Sequence, residues 1–107
     1  METILIVDDE KNYPLILSSV LEDEGFETLT ANSGQAALEI LKTSDVDLVL
    51  TDMKMPVMNG IQLLEKIKAK DPDLPVIMMT AHGTVEKAVD ARQRGAYNYV
   101  LKPFDNE

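Results

Sequence analysis

Short apolar runs alternate along this chain with longer amphipathic stretches, and this alternation limits the possible folds more than any other feature. The apolar runs are residues 4–7, 27–30, 48–50, 76–79 and 97–101, of which 27–30 is the weakest. Runs of this length predict strands, and the stretches between them have the three-and-four spacing of helices. Strongly apolar strands that alternate with helices predict an α/β fold with a parallel sheet covered on both faces.

The helices can be placed from their apolar stripes and end signals. The first is predicted over residues 13–24, with Pro14 in its first turn and Gly25 at its exit. Ser33 is the predicted cap of the second helix, and the third begins after Asn59. The fourth, over residues 85–94, has the shortest apolar stripe and is the least firmly anchored. The side chains expected to face the core are Tyr13, Ile16, Leu17, Val20, Leu21, Ala37, Leu38, Leu41, Ile61, Leu64, Ile67, Val85, Ala88 and Val89.

Size and charge exclude several functional classes. The 107 residues suit one domain, expected to span 1–107. With 19 acidic and 10 basic residues the formal charge is −9, which argues against direct binding to nucleic acid or to an anionic membrane. The absence of cysteine rules out disulfides and thiolate metal sites. No apolar run approaches the roughly 20 residues that span a bilayer. The expected location is the cytoplasm.

Polar residues with complementary chemistry follow four of the predicted strands. Open parallel sheets bind ligands beyond the carboxyl ends of their strands, at the point where the winding direction reverses. These positions are occupied by three carboxylates, a hydroxyl and an ammonium, namely Asp8, Asp9, Asp52, Thr80 and Lys102. We therefore expect these side chains to converge on one edge of the sheet.

This set predicts phosphoryl chemistry that depends on a metal ion. Neighbouring carboxylates repel by about 4 kcal/mol per pair at an effective dielectric constant near 20, so a cation should bind between them. Ligands that offer only oxygen favour a hard ion, and Mg²⁺ suits a site that keeps several waters. Asp52 is then a candidate nucleophile that would form an acyl phosphate. Thr80 and Lys102 would contact the phosphoryl oxygens.

Each of these residues also has an ordinary structural interpretation. Adjacent aspartates at a strand end often form a solvated loop or a helix cap, threonine is a common cap, and a Lys-Pro pair is a common turn. His82, a lone histidine near the site, is expected to tune the site rather than to catalyse. The functional interpretation rests on the whole set, because independent surface residues have no reason to occupy successive strand ends with complementary chemistry.

Four segments together resemble the receiver domain of bacterial two-component response regulators: ILIVDDEK, DLVLTDMKMPVMNG, VIMMTAHG and GAYNYVLKPF. The resemblance covers nearly the whole chain. It implies a flavodoxin-like, doubly wound sheet of five strands in the order 2-1-3-4-5. The segments TAHG and KPF are similar to the corresponding segments of receivers of the nitrogen-regulatory type. Such receivers often precede an ATPase domain that acts with sigma-54 polymerase. A role in transcription regulation is therefore expected.

The resemblance also implies roles for individual residues. Asp52 would accept a phosphoryl group from a sensor histidine kinase. Mg²⁺ would be bound by Asp8, Asp9 and Asp52, directly or through water, and by the backbone carbonyl of Lys54. Thr80 and Lys102 match the switch hydroxyl and the essential lysine, Tyr99 matches the switch aromatic residue, and Lys54 and His82 would tune the site. The implied domain assists its own phosphorylation and dephosphorylation without being a conventional turnover enzyme.

Other classes of protein fit the sequence less well. A hydrolase of the haloacid dehalogenase type also uses an aspartate after a parallel strand, but it needs an acid two positions further on, where this chain has Lys54. The glycine-rich motifs of dinucleotide and P-loop sites are absent. A docking module without phosphoryl chemistry would have no need of the five polar residues.

The end of the chain carries one further expectation. Right-handed crossovers would place the first helix on one face of the sheet and the next three on the other, so a fifth helix should lie beside the first. Only Asp105, Asn106 and Glu107 follow Phe104. We expect a receiver domain that lacks its final helix and belongs to a longer regulator with an effector domain. In isolation it would be marginally stable or would form a homodimer.

Overall fold

The computed structural model describes residues 2–80, 93 and 95–101, and for residues 98–101 it describes the backbone alone. Five parallel strands form one sheet in the order β2-β1-β3-β4-β5. The strands are β1 (Thr3–Val7), β2 (Glu27–Ala31), β3 (Leu48–Asp52), β4 (Val76–Thr80) and β5 (Asn98–Leu101), and the described helices are α1 (Asn12–Asp23), α2 (Gly34–Thr43) and α3 (Gly60–Lys70). The predicted flavodoxin-like order is confirmed.

The strands match the apolar runs, with one difference that concerns the site. Asp52 and Thr80 are the last residues of β3 and β4 and not the first residues after them. Asp52 pairs with Met79, and Thr80 pairs with Leu101. Each polar side chain is therefore attached to hydrogen-bonded backbone, which holds it more firmly than a loop would.

The sheet is covered on both faces, as the alternation along β1 shows. Leu5 and Val7 belong to the cluster that packs against α2 and α3. Ile4 and Ile6 belong to the cluster that packs against α1. Helices α2 and α3 therefore lie on the face opposite α1, as right-handed crossovers require.

Helix α1 buries a narrower stripe than its sequence predicts. Tyr13, Leu17 and Leu21 pack onto the sheet, as expected. Ile16 and Val20 are 57% and 54% exposed, so their prediction as core residues was wrong. Residues four apart form a single row along a helix, and the row 13–17–21 faces the sheet, whereas positions 16 and 20 lie beside it.

The predicted cap of α2 is confirmed, and α3 begins after Asn59 as predicted. The Ser33 side chain accepts a hydrogen bond from the amide of Ala36. At α3, the Asn59 side chain accepts from the Gln62 amide at 2.9 Å, and the Gln62 side chain accepts from the Asn59 amide at 2.9 Å. This reciprocal pair is a capping box, which satisfies two otherwise unpaired donors. The start of α3, and with it the end of the preceding loop, is therefore well defined.

Two predictions fall on residues that the structure does not describe. These are the fourth helix at 85–94 and the helix expected beyond Phe104. On the α1 side of the sheet Leu48, Leu50 and Ile77 are half-buried.

Within the described part of the chain, the helices lack the length and apolar character of a transmembrane segment.

Candidate functional site

The chain reverses its winding direction at β1, because β1 has β2 on one side and β3 on the other. The carboxyl ends of β1 and β3 therefore meet at the position where open α/β sheets bind ligands. Asp8 and Asp9 follow directly after β1, and Asp52 ends β3. The pairing of Val7 with Thr51 places the two ends side by side.

Asp8, Asp9 and Asp52 form an acidic cluster at this position. Each offers one carboxylate oxygen, and these oxygens all lie within 4.8 Å of one another. Asp8 is 1% exposed and Asp52 is 7% exposed, whereas Asp9 is open to solvent. The cluster therefore has two buried carboxylates and a third that is exposed to solvent.

Backbone hydrogen bonds fix the position of Asp8. Its amide donates to the carbonyl of Ala31 at 3.0 Å, which extends the pairing of β1 with β2 by one residue. Its Oδ1 accepts from the Glu10 amide at 3.0 Å. Asp8 is thus held at both its backbone and its side chain before any ligand binds.

The backbone around Asp52 is held as firmly. The Met53 amide donates to the carbonyl of Met79 at 2.9 Å, so the pairing of β3 with β4 continues past Asp52. The Met53 carbonyl in turn accepts from the amide of Gly60 at 2.9 Å. Residues 54–59, here called the acceptor loop, are therefore closed by a hydrogen bond at the base of the loop.

The donor set of the cluster fits a hard cation. Three carboxylates within 4.8 Å of one another would, when all are charged, repel by about 3.5 kcal/mol per pair at an effective dielectric constant near 20. A divalent ion with oxygen ligands removes this repulsion, and carboxylates are the side chains that Mg²⁺ and Ca²⁺ prefer. The cluster could therefore hold a metal ion, as the sequence predicts.

The remaining predicted site residues are only partly described. Thr80 is 7% exposed and ends β4, the strand next to β3. Lys54 is exposed and lies in the acceptor loop, two positions after Asp52. Tyr99 lies in β5, where only its backbone is described. Lys102 and His82 lie outside the described residues, so their roles stay predictions.

Two features near the site were not predicted from the sequence. Val57 in the acceptor loop has a φ of +68°, and its side chain is fully exposed. Met58 packs so closely on Gly34 that a Cβ at position 34 would lie 2.6 Å from its sulfur. Neither feature has a signal in the local sequence.

An open parallel sheet with an acidic cluster at its winding reversal is the arrangement of a flavodoxin-like domain, and the cluster could hold a metal ion. A family model described as the response regulator receiver domain matches residues 4–107. The chain belongs to this family of signalling domains, as its resemblance implied.

Similar proteins agree with this assignment. Regulatory protein AtoC of Escherichia coli K12 is 47% identical over 102 residues, which cover 95% of this chain and 22% of AtoC. The DNA-binding transcriptional regulator NtrC of Klebsiella pneumoniae is 44% identical over 100 residues, covering 94% of this chain and 21% of NtrC. The chain thus spans about a fifth of each relative. The resemblance to receivers of the nitrogen-regulatory type is confirmed.

A solved structure shows the same architecture. Response regulator protein TrrA of Thermotoga maritima, in complex with Mg(2+)-BeF, has a TM-score of 0.88 and 35% sequence identity. The match covers 98% of this chain and 90% of TrrA. The fold of the chain is therefore that of a response regulator.

Proposed function

We propose that Asp52 accepts a phosphoryl group from the phosphohistidine of a sensor kinase. The observation that carries the proposal is the acidic cluster at the winding reversal, where a largely buried Asp52 lies among two further carboxylates. An Asp52 carboxylate oxygen forms the new bond to phosphorus as the bond from phosphorus to the histidine nitrogen breaks. The imidazole leaves as a neutral group once it has taken up a proton.

Asp8, Asp9, Asp52 and the backbone carbonyl of Lys54 are the proposed ligands of Mg²⁺. When bound, the metal would neutralise charge on the transferring group and hold its oxygens. The complex of TrrA with Mg(2+)-BeF supports this choice of ion. Asp8 is suited to fix the geometry because its backbone and side chain are already hydrogen-bonded.

Thr80 and Lys102 are the proposed contacts of the phosphoryl oxygens. Thr80 ends the strand next to that of Asp52, so its hydroxyl could form a hydrogen bond to a phosphoryl group on Asp52. Its movement, coupled to Tyr99, would shift an existing equilibrium and change the surface offered to a partner. Lys54 and His82 would tune the rates at which the phosphoryl group is gained and lost.

The proposed output is transcription regulation. The printed names of AtoC and NtrC describe regulators, and NtrC is named as DNA-binding. We therefore propose as partners a sensor histidine kinase and an effector domain of the ATPase and DNA-binding kind. The transfer of the phosphoryl group from the kinase to Asp52 would take place in the cytoplasm, as the family resemblance implies.

Intact-mass spectrometry tests the central claim. The protein is incubated with acetyl phosphate in the presence or absence of Mg²⁺, alongside Asp52→Asn. Asp45→Asn is the matched control, because Asp45 is an exposed aspartate before β3, at the opposite end of that strand. We expect one added phosphoryl group in the wild type and in Asp45→Asn, and none in Asp52→Asn. Equal labelling of all three proteins would refute Asp52 as the acceptor.

A further inference from the structure

The acceptor loop contains a rare turn. The Met58 amide donates to the carbonyl of Pro56 at 2.7 Å, and Val57 between them has a φ of +68°. A hydrogen bond between residues two apart with positive φ at the centre defines the strained form of the γ-turn. A β-branched residue seldom adopts this backbone conformation. Something outside the turn must therefore hold it.

The contacts of Val57 itself do not supply that restraint. Its side chain is fully exposed, so no packing is gained at the strained residue. The residues on either side are anchored instead. Met55 is 8% exposed and belongs to the main core, while Met58 packs against that core and against the first residue of α2.

The contact between Met58 and Gly34 depends on the missing side chain of glycine. A Cβ at position 34 would lie 2.6 Å from the Met58 sulfur and 3.1 Å from its Cβ and Cγ. The first of these distances is shorter than any ordinary contact, so an added methyl group must shift the Met58 side chain, including its Cβ and Cγ by a few tenths of an ångström. Gly34 begins α2 directly after the Ser33 cap, so its backbone is fixed by the helix. The methionine, not the helix, would move.

Displacement of Met58 would release the loop on one side. The other end is closed by the Gly60 amide on the Met53 carbonyl, so a shift at Met58 would be taken up within residues 54–58. Lys54, whose carbonyl is the proposed metal ligand, lies in that segment. Because metal affinity depends on ligands that are held in place, a loosened loop should bind metal less tightly.

We propose that Gly34 and Met58 are positioning residues, which hold the acceptor loop so that its backbone carbonyl is in place for the metal ion. This inference rests on the proposed function of the acidic cluster. It connects the start of α2 with the acceptor loop through the contact of Met58 with Gly34. Neither residue needs to touch the metal or the phosphoryl group.

Magnesium titration by isothermal calorimetry tests the proposal on the wild type, Gly34→Ala, Met58→Ala and the double variant. We expect each single variant to bind Mg²⁺ about tenfold more weakly, the lower end of the effect of groups that orient metal ligands. In the double variant the two losses should not add, since both remove the same contact. Alanine is a better helix former than glycine, so a loss of affinity in Gly34→Ala could not come from a weakened α2.

Gly25→Ala is the matched control. Gly25 has a φ of +98° and open space around it, so alanine there strains the backbone without touching the site. We expect lower stability with unchanged Mg²⁺ affinity. If the wild type binds Mg²⁺ and Met58→Ala binds it equally well, the positioning role is refuted, and this variant decides the matter even if Gly34→Ala does not fold. If the wild type itself does not bind Mg²⁺, the result refutes the proposed metal site, and the positioning role falls with it.

Discussion

Gly60 lies directly against the backbone of Asp52: a Cβ at position 60 would be 2.3 Å from the Asp52 carbonyl oxygen and 2.8 Å from the Met53 Cα. The close approach brings the first residue of α3 onto the strand that carries the proposed acceptor. Because both partners are backbone atoms, no side-chain rotation could relieve the clash that a larger residue would cause.

We therefore expect Gly60→Ala to lower the free energy of unfolding by about 1–3 kcal/mol, the usual cost of forcing extra atoms into a packed region. The higher helix propensity of alanine offsets less than about 1 kcal/mol of this loss. Urea denaturation of both proteins measures the difference. An unchanged midpoint would show that α3 can move away from Asp52 freely.

Asp9 offers a test of the charge repulsion in the cluster. Asp9→Asn removes one of three neighbouring charges, so the metal-free protein should gain about 1 kcal/mol, less than the full repulsion because Asp9 is exposed and solvent screens its charge. Mg²⁺ should stabilise the wild type by roughly 2.7 kcal/mol at a hundred times its dissociation constant, and the variant less at the same concentration.

Thermal unfolding with and without Mg²⁺ measures both effects. Asp73→Asn serves as the control. Asp73 is an exposed aspartate that precedes the amino-terminal end of β4, whereas the cluster lies at the carboxyl ends of the strands. Its metal-dependent shift in melting temperature should equal that of the wild type. A variant at Asp9 that behaves like the one at Asp73 would argue against a shared metal site.

Val57 should be easy to stabilise. Relief of a strained φ contributes about 1–3 kcal/mol, and the extra freedom of glycine in the unfolded chain costs about 0.5–1 kcal/mol. Val57→Gly is therefore expected to raise the free energy of unfolding by about 1 kcal/mol. Val57→Ala keeps a Cβ and most of the strain, so it should gain clearly less. Chemical denaturation of the three proteins would contradict the strained turn if glycine and alanine behaved alike.

The capping box at α3 gives a prediction about coupling. Asn59→Ala removes the cap and should cost about 1 kcal/mol. Gln62→Ala removes the reciprocal bond and should cost less, because the higher helix propensity of alanine at this helical position offsets part of the loss. A double-mutant cycle should show that the two losses do not add, since the hydrogen bonds share a geometry. Full additivity would mean that the two side chains act independently.

The strands were predictable because they are apolar runs, and their order was implied by the resemblance to receiver domains. The acidic cluster was predictable for a related reason: Asp8, Asp9 and Asp52 follow or end strands whose carboxyl ends must lie together. For the cluster, the sequence pattern and the geometry of a parallel sheet are sufficient.

Other features depend on contacts between distant parts of the chain, which a local pattern does not contain. Nothing in the local sequence of Val57 indicates a positive φ, because valine is among the residues that avoid it. Met58 lies in the acceptor loop, and the glycine that it contacts, Gly34, is at the start of α2. The exposure of Ile16 and Val20 depends on which row of α1 meets the sheet, and a periodic stripe does not distinguish adjacent rows.

The pairing of β1 with β3 has a consequence for the newly made chain. Asp8 and Asp9 leave the ribosome well before Asp52, and the three carboxylates meet only when these two strands join. An unfolded or half-folded chain therefore lacks the cluster at which we propose that Mg²⁺ and the phosphoryl group bind. Under the proposed function, folding of the sheet and competence to accept a phosphoryl group are therefore reached in the same step.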